Sequence, residues 1–479
     1  MAMRRVYGAQ QPHIKLGIFE IRIPFIHVRV TIPELLQGCC NGMLCFGAMA
    51  TIMQCFGCSE EAAYAAAWLN AALYVINQLS GEPTVCGWIM PAVPLVTMFC
   101  LSYPEGSRIQ AGTALELILA VIFLVLGITG LAKKVIAFVP ASIKGGVILG
   151  AALSSFYAEF KDGGRFSQFP IALYVSCALM VYLLYSPRFQ RSVKNGGGFI
   201  KWIAGMGIMP AVVLAAVLAY VSGEKQFAFS LFPIFALPNL KLMFNELSPF
   251  VIGFPSLSMF LSAIPTAIAV YIVAFGDGLV LEGIVRDGCA NRPDEYVNFN
   301  INRAYITTAI RNIVMGLVAP FPPLNSTLGA AFSIQLYQRY KTSDEKTYYS
   351  IHDGTVGANW GGGIFMLLTP MVCIFKPIAG IAMGLCQISQ GFTCTAVGIG
   401  TCRNPIDLCV AGTCAGIMVA KGAAWGLGAG IAAYILTMTL NRLREDLAHN
   451  KTEAQAEEEK LRAADELAKQ NVGTAVLAR

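Results

Sequence analysis

Hydrophobic positions along this chain fall into long runs, separated by short polar or glycine-rich breaks. Runs of about 20 apolar residues predict helices that cross a bilayer. About fourteen can be drawn, over 33–56, 62–80, 84–102, 111–131, 135–158, 168–186, 199–221, 252–281, 302–320, 322–338, 357–375, 377–399, 405–420 and 422–441. Two runs break the pattern. One holds Pro83-Thr84-Val85-Cys86-Gly87-Trp88-Ile89-Met90-Pro91-Ala92-Val93-Pro94, and the other holds Phe321-Pro322-Pro323-Leu324-Asn325-Ser326-Thr327-Leu328-Gly329. Backbone groups freed at membrane depth must find partners other than lipid. Such a span is expected to lie inside protein and line a cavity. One in each half of a chain points to the binding site of a carrier.

Between and beside the runs the character changes. Residues 1–32 form an arm in which Ile21-Arg22-Ile23 and His27-Val28-Arg29-Val30 alternate, as in an interfacial strand or short helix. The segment 224–251, with Pro233, Pro238, Lys241 and Asn245, reads as an exposed linker with an amphipathic piece. It divides a first repeat, 33–223, from a second, 252–441, with seven segments in each. The halves echo one another: Phe138-Val139-Pro140 precedes Gly145, Gly146 and Gly150, and Phe375-Lys376-Pro377 precedes Gly380 and Gly384. Glycines so spaced let helices approach closely. Residues 442–479 read as a charged, solvated cytoplasmic helix with i,i+4 pairs.

Composition agrees with the pattern. Hydrophobic residues make up 56% of the chain and charged residues 13%, with mean hydropathy +0.61. Those values exclude an ordinary soluble domain. The net charge of +6 is modest and gives no sign of nucleic acid as a partner. Its cations gather in loops, at Lys133-Lys134 and at Arg188, Arg191, Lys194 and Lys201, while Glu60-Glu61 falls on the opposite side. The positive-inside rule then predicts a multi-pass cell-membrane protein with both termini cytoplasmic. The basic N-terminus (Arg4, Arg5, Lys15) is not followed at once by the apolar core of a signal peptide. Most of the 15 cysteines, Cys39-Cys40, Cys386, Cys394, Cys409 and Cys414 among them, read as small residues packed between helices. Their spacing suggests neither metal nor disulfide, and no cofactor is expected.

Ionisable groups inside a membrane are costly and are candidates for function. Asp277, in Tyr271-Ile272-Val273-Ala274-Phe275-Gly276-Asp277-Gly278, has the chemistry to take a proton, bind a cation or accept from a substrate N–H. Glu282, with Arg286 and Asp287, reads as an interfacial ion cluster and a second coupling candidate. Glu116 is expected to pair with Lys144 or Arg311 across helices. Arg311 itself fits attraction of an anionic substrate, snorkelling or a bridge between helices. Gln37 is an uncharged hydrogen-bonding candidate, or glue between helices. Asn325, Ser326 and Thr327 lie beside freed backbone groups. A half-helix beginning there turns N–H groups and a positive dipole end toward the cavity, which suits a carbonyl oxygen or an anion. Trp88, followed by Ile89 and Met90, offers an indole face to a flat ring, or an interfacial anchor. The four histidines (His13, His27, His352, His449) sit in the arm, a loop or the tail. No nucleophile–base arrangement is visible, so no enzyme is expected.

Four stretches together bring a family into view. They are Leu36-Gln37 with Phe46-Gly47-Ala48, Pro83-x-x-x-Gly87 leading to Pro94, Val139-Pro140-Ala141 with the glycines after it, and Ile264-Pro265-Thr266-Ala267-Ile268-Ala269-Val270-Tyr271 followed by Gly276 and Ile284-Val285-Arg286-Asp287. Up to about Leu440 the chain resembles the nucleobase–cation symporter-2, or nucleobase–ascorbate transporter, family of uracil and xanthine permeases. The resemblance implies an all-α seven-plus-seven inverted repeat with short strands in broken segments three and ten. It also implies core and gate domains interleaved across both repeats, a homodimer and elevator-type alternating access. Sulfate and bicarbonate carriers share that fold, so the fold alone does not name a substrate. The family's acidic residue in the eighth segment falls here on Val273, one turn before Asp277. Its acidic or amide residue in the tenth falls on Leu328, or on Asn325 with a small gap. The expected function is therefore symport of a nucleobase-like heterocycle with a proton or sodium ion, with Asp277 as the remaining acid. The alternative on the same fold is a small organic or inorganic anion, favoured by the missing acids, the half-helix dipoles and Arg311.

Overall fold

The computed structural model describes residues 5–195, 200, 203, 208–226, 230, 232–289, 292–327, 329–343, 345 and 348–437. The charged tail, Leu328 and the side chains of Asp277, Glu282, Arg286 and Asp287 lie outside the described residues. The chain is mostly helical. In order it forms β1 (Ile14–Leu16), β2 (Phe19–Ile21), α1 (Ile32–Phe56), α2 (Glu60–Ala72), α3 (Val75–Ser80), β3 (Gly87–Trp88), α4 (Val93–Leu101), α5 (Arg108–Thr129), α6 (Ala132–Ala137), α7 (Ala141–Phe160), α8 (Arg165–Gln168), α9 (Pro170–Tyr185), α10 (Pro187–Asn195) and α11 (Met209–Val221). Then follow α12 (Leu240–Leu247), α13 (Pro249–Ile252), α14 (Leu257–Cys289), α15 (Ile301–Val318), β4 (Asn325–Ser326), α16 (Ala330–Thr342), α17 (Ile351–Met366), α18 (Thr369–Thr401), α19 (Pro405–Lys421) and α20 (Ala423–Thr437).

Local chemistry sets several boundaries. Ser59 opens α2 by accepting a hydrogen bond from Ala62 N–H at 3.3 Å, the usual satisfaction of an orphan first-turn donor. Gly57 ends α1 at φ 67° and gives its N–H to Met53 O, a left-handed cap that suits glycine. Among the described residues, four helices are long and apolar enough to cross a bilayer unaided: Glu105–Thr129, Ala141–Gln168, Leu257–Phe275 and Thr369–Thr401. Large apolar side chains stand exposed on α5 (Val121, Val125, Ile128), α9 (Ile171, Tyr174, Val175), α11 (Val213, Val217, Tyr220) and α20 (Trp425, Ile431, Ile435). Apolar faces that broad require lipid as solvent, and the chain is a multi-pass membrane protein.

Glycine contacts hold the helices close. On α7, a Cβ at Gly146 would stand 2.8 Å from Cys414 Cβ, and one at Gly150 would stand 2.6 Å from Met418 Sδ, both on α19. The glycines read from the first half thus do pack as expected. Of the second-half pair only Gly384 is in close contact, its added Cβ 3.3 Å from Glu159 Oε2, while a Cβ at Gly380 would meet nothing within 4 Å. Pro377 also differs from expectation. It does not open a helix but lies inside α18, which runs unbroken over 33 residues. An interior proline costs about 3 kcal/mol, and the buried stretch Ile378 to Ile388 offsets it through packing. The helix break falls earlier, at Leu367-Leu368. There the linker docks: Ala236 N–H donates to Leu367 O at 2.8 Å and Thr369 N–H to Ile234 O at 3.0 Å.

The N-terminal arm takes the strand option, as the antiparallel hairpin β1–β2. Buried ion pairs anchor it. Arg303 on α15 reaches Glu82 at 2.7 Å and Glu20 at 3.3 Å, and Arg22 reaches Glu20 at 3.0 Å. Asp294 accepts from Arg292 at 2.7 Å and also meets Arg5. Burial works to raise the Glu20 and Asp294 carboxyls, but hydrogen bonds and charge outweigh it and hold both below their usual values. The counterweights are Gln10, Arg303 and Arg22 for Glu20, and Arg292 and Arg5 for Asp294. Burial, then the Arg22 charge, lowers the His27 imidazole. All three shifts are depressions. Each therefore adds stability that is present above the unfolded pKa and lost as pH falls toward the folded one. Thermal unfolding should show a first loss below about pH 6.5, the unfolded histidine value, and a second below about pH 4. His27→Gln should lessen the first loss, to which the buried His352 also contributes, and leave the second.

Candidate substrate site

The two broken segments meet. Strands β3 and β4 pair antiparallel, with Gly87 opposite Ser326 and Trp88 opposite Asn325. The ladder continues past both ends, as Ile89 N–H donates to Leu324 O at 3.1 Å and Gly329 N–H to Val85 O at 2.7 Å. The backbone groups that the prolines release thus satisfy each other within protein, as the bilayer requires. Leu324 takes φ 49° to enter the strand, a left-handed conformation that costs a branched side chain about 1–2 kcal/mol. A Cβ on Gly329 would stand 2.4 Å from Cys86 O, so only glycine lets the second half-helix start this close to β3. Half-helices α4 and α16 begin a few residues after their strands, and neither start carries a side-chain cap. Their positive dipole ends lie beside the crossing; at α4, Val93 N–H donates to Met90 O and Pro94 has no N–H.

Side chains from three helices surround this crossing. Asn312 on α15 holds Asn325 in both directions: its Nδ2 donates to Asn325 O at 3.1 Å and its Oδ1 accepts from Asn325 N at 2.9 Å. Asn70 on α2 donates to Asn325 Oδ1 at 2.8 Å and accepts from the Trp88 indole N–H at 3.0 Å. Arg311 on α15 donates to Ser326 O at 3.2 Å and to Asn325 Oδ1, and lies over the Tyr74 ring at 4.8 Å. Asn359 on α17 accepts from Cys86 N and donates to Thr84 O, each at 3.1 Å. Trp88 meets the edge of Phe321 with centroids 5.2 Å apart.

The fully buried Arg311 has no carboxylate within ion-pair distance among the described residues, whereas Arg22, Arg292 and Arg303 all do. Because guanidinium only donates, the orientation of the Asn325 amide is set with its oxygen toward Arg311. That leaves Asn325 Nδ2 buried without a partner, together with Arg311 Nε and Thr327 Oγ1.

Of the residues singled out in the sequence, Trp88, Asn325 and Ser326 lie in the paired strands, and Thr327 follows directly. Ile89 extends the ladder, and Met90 starts the single 3-10 turn Met90–Ala92 ahead of α4. Gln37 reaches the second half-helix by donating to Gln335. Val273 is buried in α14, within the main apolar cluster, and α14 packs against the Met90–Ala92 turn. Asp277 and Glu282 lie on α14, with side chains outside the described residues. Glu116 does not join Arg311: its Oε2 accepts from Phe321 N–H at 2.7 Å. Asn70, Asn312, Asn359 and Tyr74 were not singled out from sequence. The available signal was an amide isolated within an otherwise apolar run, most plainly Asn70 among alanines.

No protein-family profile matches this sequence, and no curated protein matches it. Solved structures do match in fold. The murine Solute Carrier 26 family member A9 anion transporter, in its inward-facing state, superposes with a TM-score of 0.51 at 14% identity, covering 85% of this chain and 68% of that one. A second structure of the A9 protein gives 0.47 at 15% identity, with 85% and 64% covered. The transmembrane domain of a cyanobacterium bicarbonate transporter, BicA, gives 0.46 at 13% identity, with 84% and 97% covered. This chain thus spans about two thirds of the length of the A9 chains. These transporters share their fold with the nucleobase–cation symporter-2 family. The mostly helical fold with a short strand in each broken segment is present, and at such identities the likeness is one of fold.

Proposed function

We propose that this protein is a secondary transporter of a small organic or inorganic anion, bound at the β3–β4 crossing. The observation that carries the reading is the character of the buried polar atoms without partners there: Asn325 Nδ2, Arg311 Nε and Thr327 Oγ1. The first two only donate and the third is able to. An uncompensated guanidinium and two uncapped helix starts add positive potential. A ligand rich in acceptors answers such a set. A nucleobase presents N–H donors as well, and the family's carboxylate for them falls on Val273. The likeness of fold to anion carriers supports the same choice.

The rest of the reading follows the fold family: core and gate domains, elevator movement, a homodimer, and cytoplasmic termini in the plasma membrane. Coupling to a proton or sodium ion, with Asp277 as a participant, belongs to it as well. The test is uptake into proteoliposomes of radiolabelled sulfate, chloride and bicarbonate beside uracil and xanthine. Saturable uptake of an anion is expected, with no uptake of either base. Saturable uracil or xanthine uptake without any anion uptake would restore the nucleobase reading.

A further inference from the structure

Of the buried acids, Glu20, Glu34, Glu82, Glu159 and Asp294 each meet an arginine. Glu295 accepts from Tyr340, Ser350 and the Ile351 N–H, Asp353 accepts from the Arg29 N–H, and Asp407 accepts from Asn404. Glu116 has a single backbone donor. Glu116 is fully buried, and it lies two turns into α5. Oxygen Oε2 accepts from the backbone N–H of Phe321, and Oε1 has no hydrogen-bond partner. The Phe321 N–H belongs to the first residue of the second break, whose ring lies against Trp88. The carboxyl thus holds the backbone at the start of the break that carries Asn325 and Thr327 of the proposed anion site.

Its charged surroundings can be named helix by helix. On α15, Arg303 is engaged by Glu82 and Glu20 and Arg311 by strand β4. Tyr305 on α15 and Tyr271 on α14 pack around Phe123 of α5, and the described part of α14 adds Cys289. The side chains of Asp277, Glu282, Arg286 and Asp287 lie outside the described residues. On α4 stands Cys100, a buried thiol. Glu34, Cys45 and Cys55 lie on α1, Glu105 on the turn before α5, Lys134 on α6, and α13 has none. Arg108 of α5 itself donates to Tyr103 O. Among the described residues no cation pairs with Glu116.

We propose that Glu116 is a proton-binding site linked to the anion at the crossing, an inference that rests on the anion reading above. Oε2 keeps the Phe321 N–H bond in either state, and Oε1 carries the proton in one of them. In the ionised state the carboxylate repels an anion through a medium that screens little. Protonation therefore strengthens anion binding, and anion binding by reciprocity strengthens proton binding. The two travel together, and the dissociation constant falls by up to about tenfold for each unit of acidification, the limit for one linked proton.

The experiment has two arms. Infrared difference spectra of purified protein in lipid, taken between acidic and alkaline pH without any anion substrate, should show a carbonyl stretch of a protonated carboxylic acid. That band should shift when the glutamates are isotope-labelled in the wild type, and it should vanish in Glu116→Gln. The second arm measures sulfate and chloride binding against pH by calorimetry. Wild type should tighten as pH falls, and Glu116→Gln, which keeps an oxygen for the Phe321 N–H, should bind with no pH dependence. A glutamate band retained in Glu116→Gln, or an unchanged pH dependence of binding in that variant, overturns the proposal. If no anion binds at any pH, the anion reading fails in the second arm while the first still decides the proton site.

Discussion

Replacing Arg311 with methionine is expected to abolish anion uptake. The substitution keeps the bulk of the side chain and removes the guanidinium that donates to Ser326 O and Asn325 Oδ1. A buried carbonyl left without its donor costs about 1–3 kcal/mol. Removing a buried charged partner of a bound anion costs about 2–5 kcal/mol of binding, or about 30-fold and more. Arg311→Lys keeps the charge without the planar fork that spans two acceptors, and intermediate uptake is expected of it. Proteoliposome uptake of wild type and the two variants, normalised to folded protein by gel filtration, reads the order. Undiminished transport by a folded Arg311→Met protein would remove the guanidinium from the site.

Gly361→Ala is expected to destabilise the protein by about 3 kcal/mol or more, as overpacking against rigid partners does. A Cβ there would stand 2.3 Å from Leu35 O and 2.7 Å from Gly38 Cα, and one on Gly38 would stand 2.6 Å from Gly361 Cα. Both contacts are with backbone, so helices α1 and α17 must separate to admit the methyl. The second pair, Gly42 against Gly362, is also close, with Gly42's added Cβ 2.9 Å from Gly362 O. Gly363→Ala is the matched control. Its added carbon would come no nearer than 3.6 Å to any neighbour, and its unfolding temperature in detergent should stay near that of wild type. Equal melting of the two variants would mean that the α1–α17 crossing gives way easily.

Both sites show how far local signals reach. The breaks at Pro83 to Pro94 and at Phe321 to Gly329 are legible because proline lacks the N–H a helix needs, and that loss acts on the residue's own neighbours. The short strand in each was implied by the family resemblance and not by the local pattern, and β3 and β4 are those strands. Arg311 and Glu116 were visible as ionisable groups in apolar runs. Their natural partners by charge, each other, are not the partners they have. Helices α5 and α15 lie side by side so that Glu116 is level with Gly316, more than a turn beyond Arg311. The carboxylate therefore meets Phe321 N–H and the guanidinium meets β4.

Pro377 misleads in the opposite direction. A proline signals a helix start locally, but burial of the residues after it carries α18 straight through. The true break at Leu367-Leu368 falls just before Pro370, which takes the first turn of α18, and residues 234–236 dock against it.

Sequence by itself determined that this is a multi-pass membrane protein with two interrupted spans, because hydropathy and proline act at short range along the chain. Tertiary structure alone decided that the two interruptions pair with each other, and that Asn70, Asn312 and Arg311 fasten β4. It also decided that Asn325 Nδ2 and Arg311 Nε, which only donate, are left over there together with the Thr327 hydroxyl. Those features depend on which side chains distant helices bring within 3 Å or so of one another, and no pattern along a single chain records that distance.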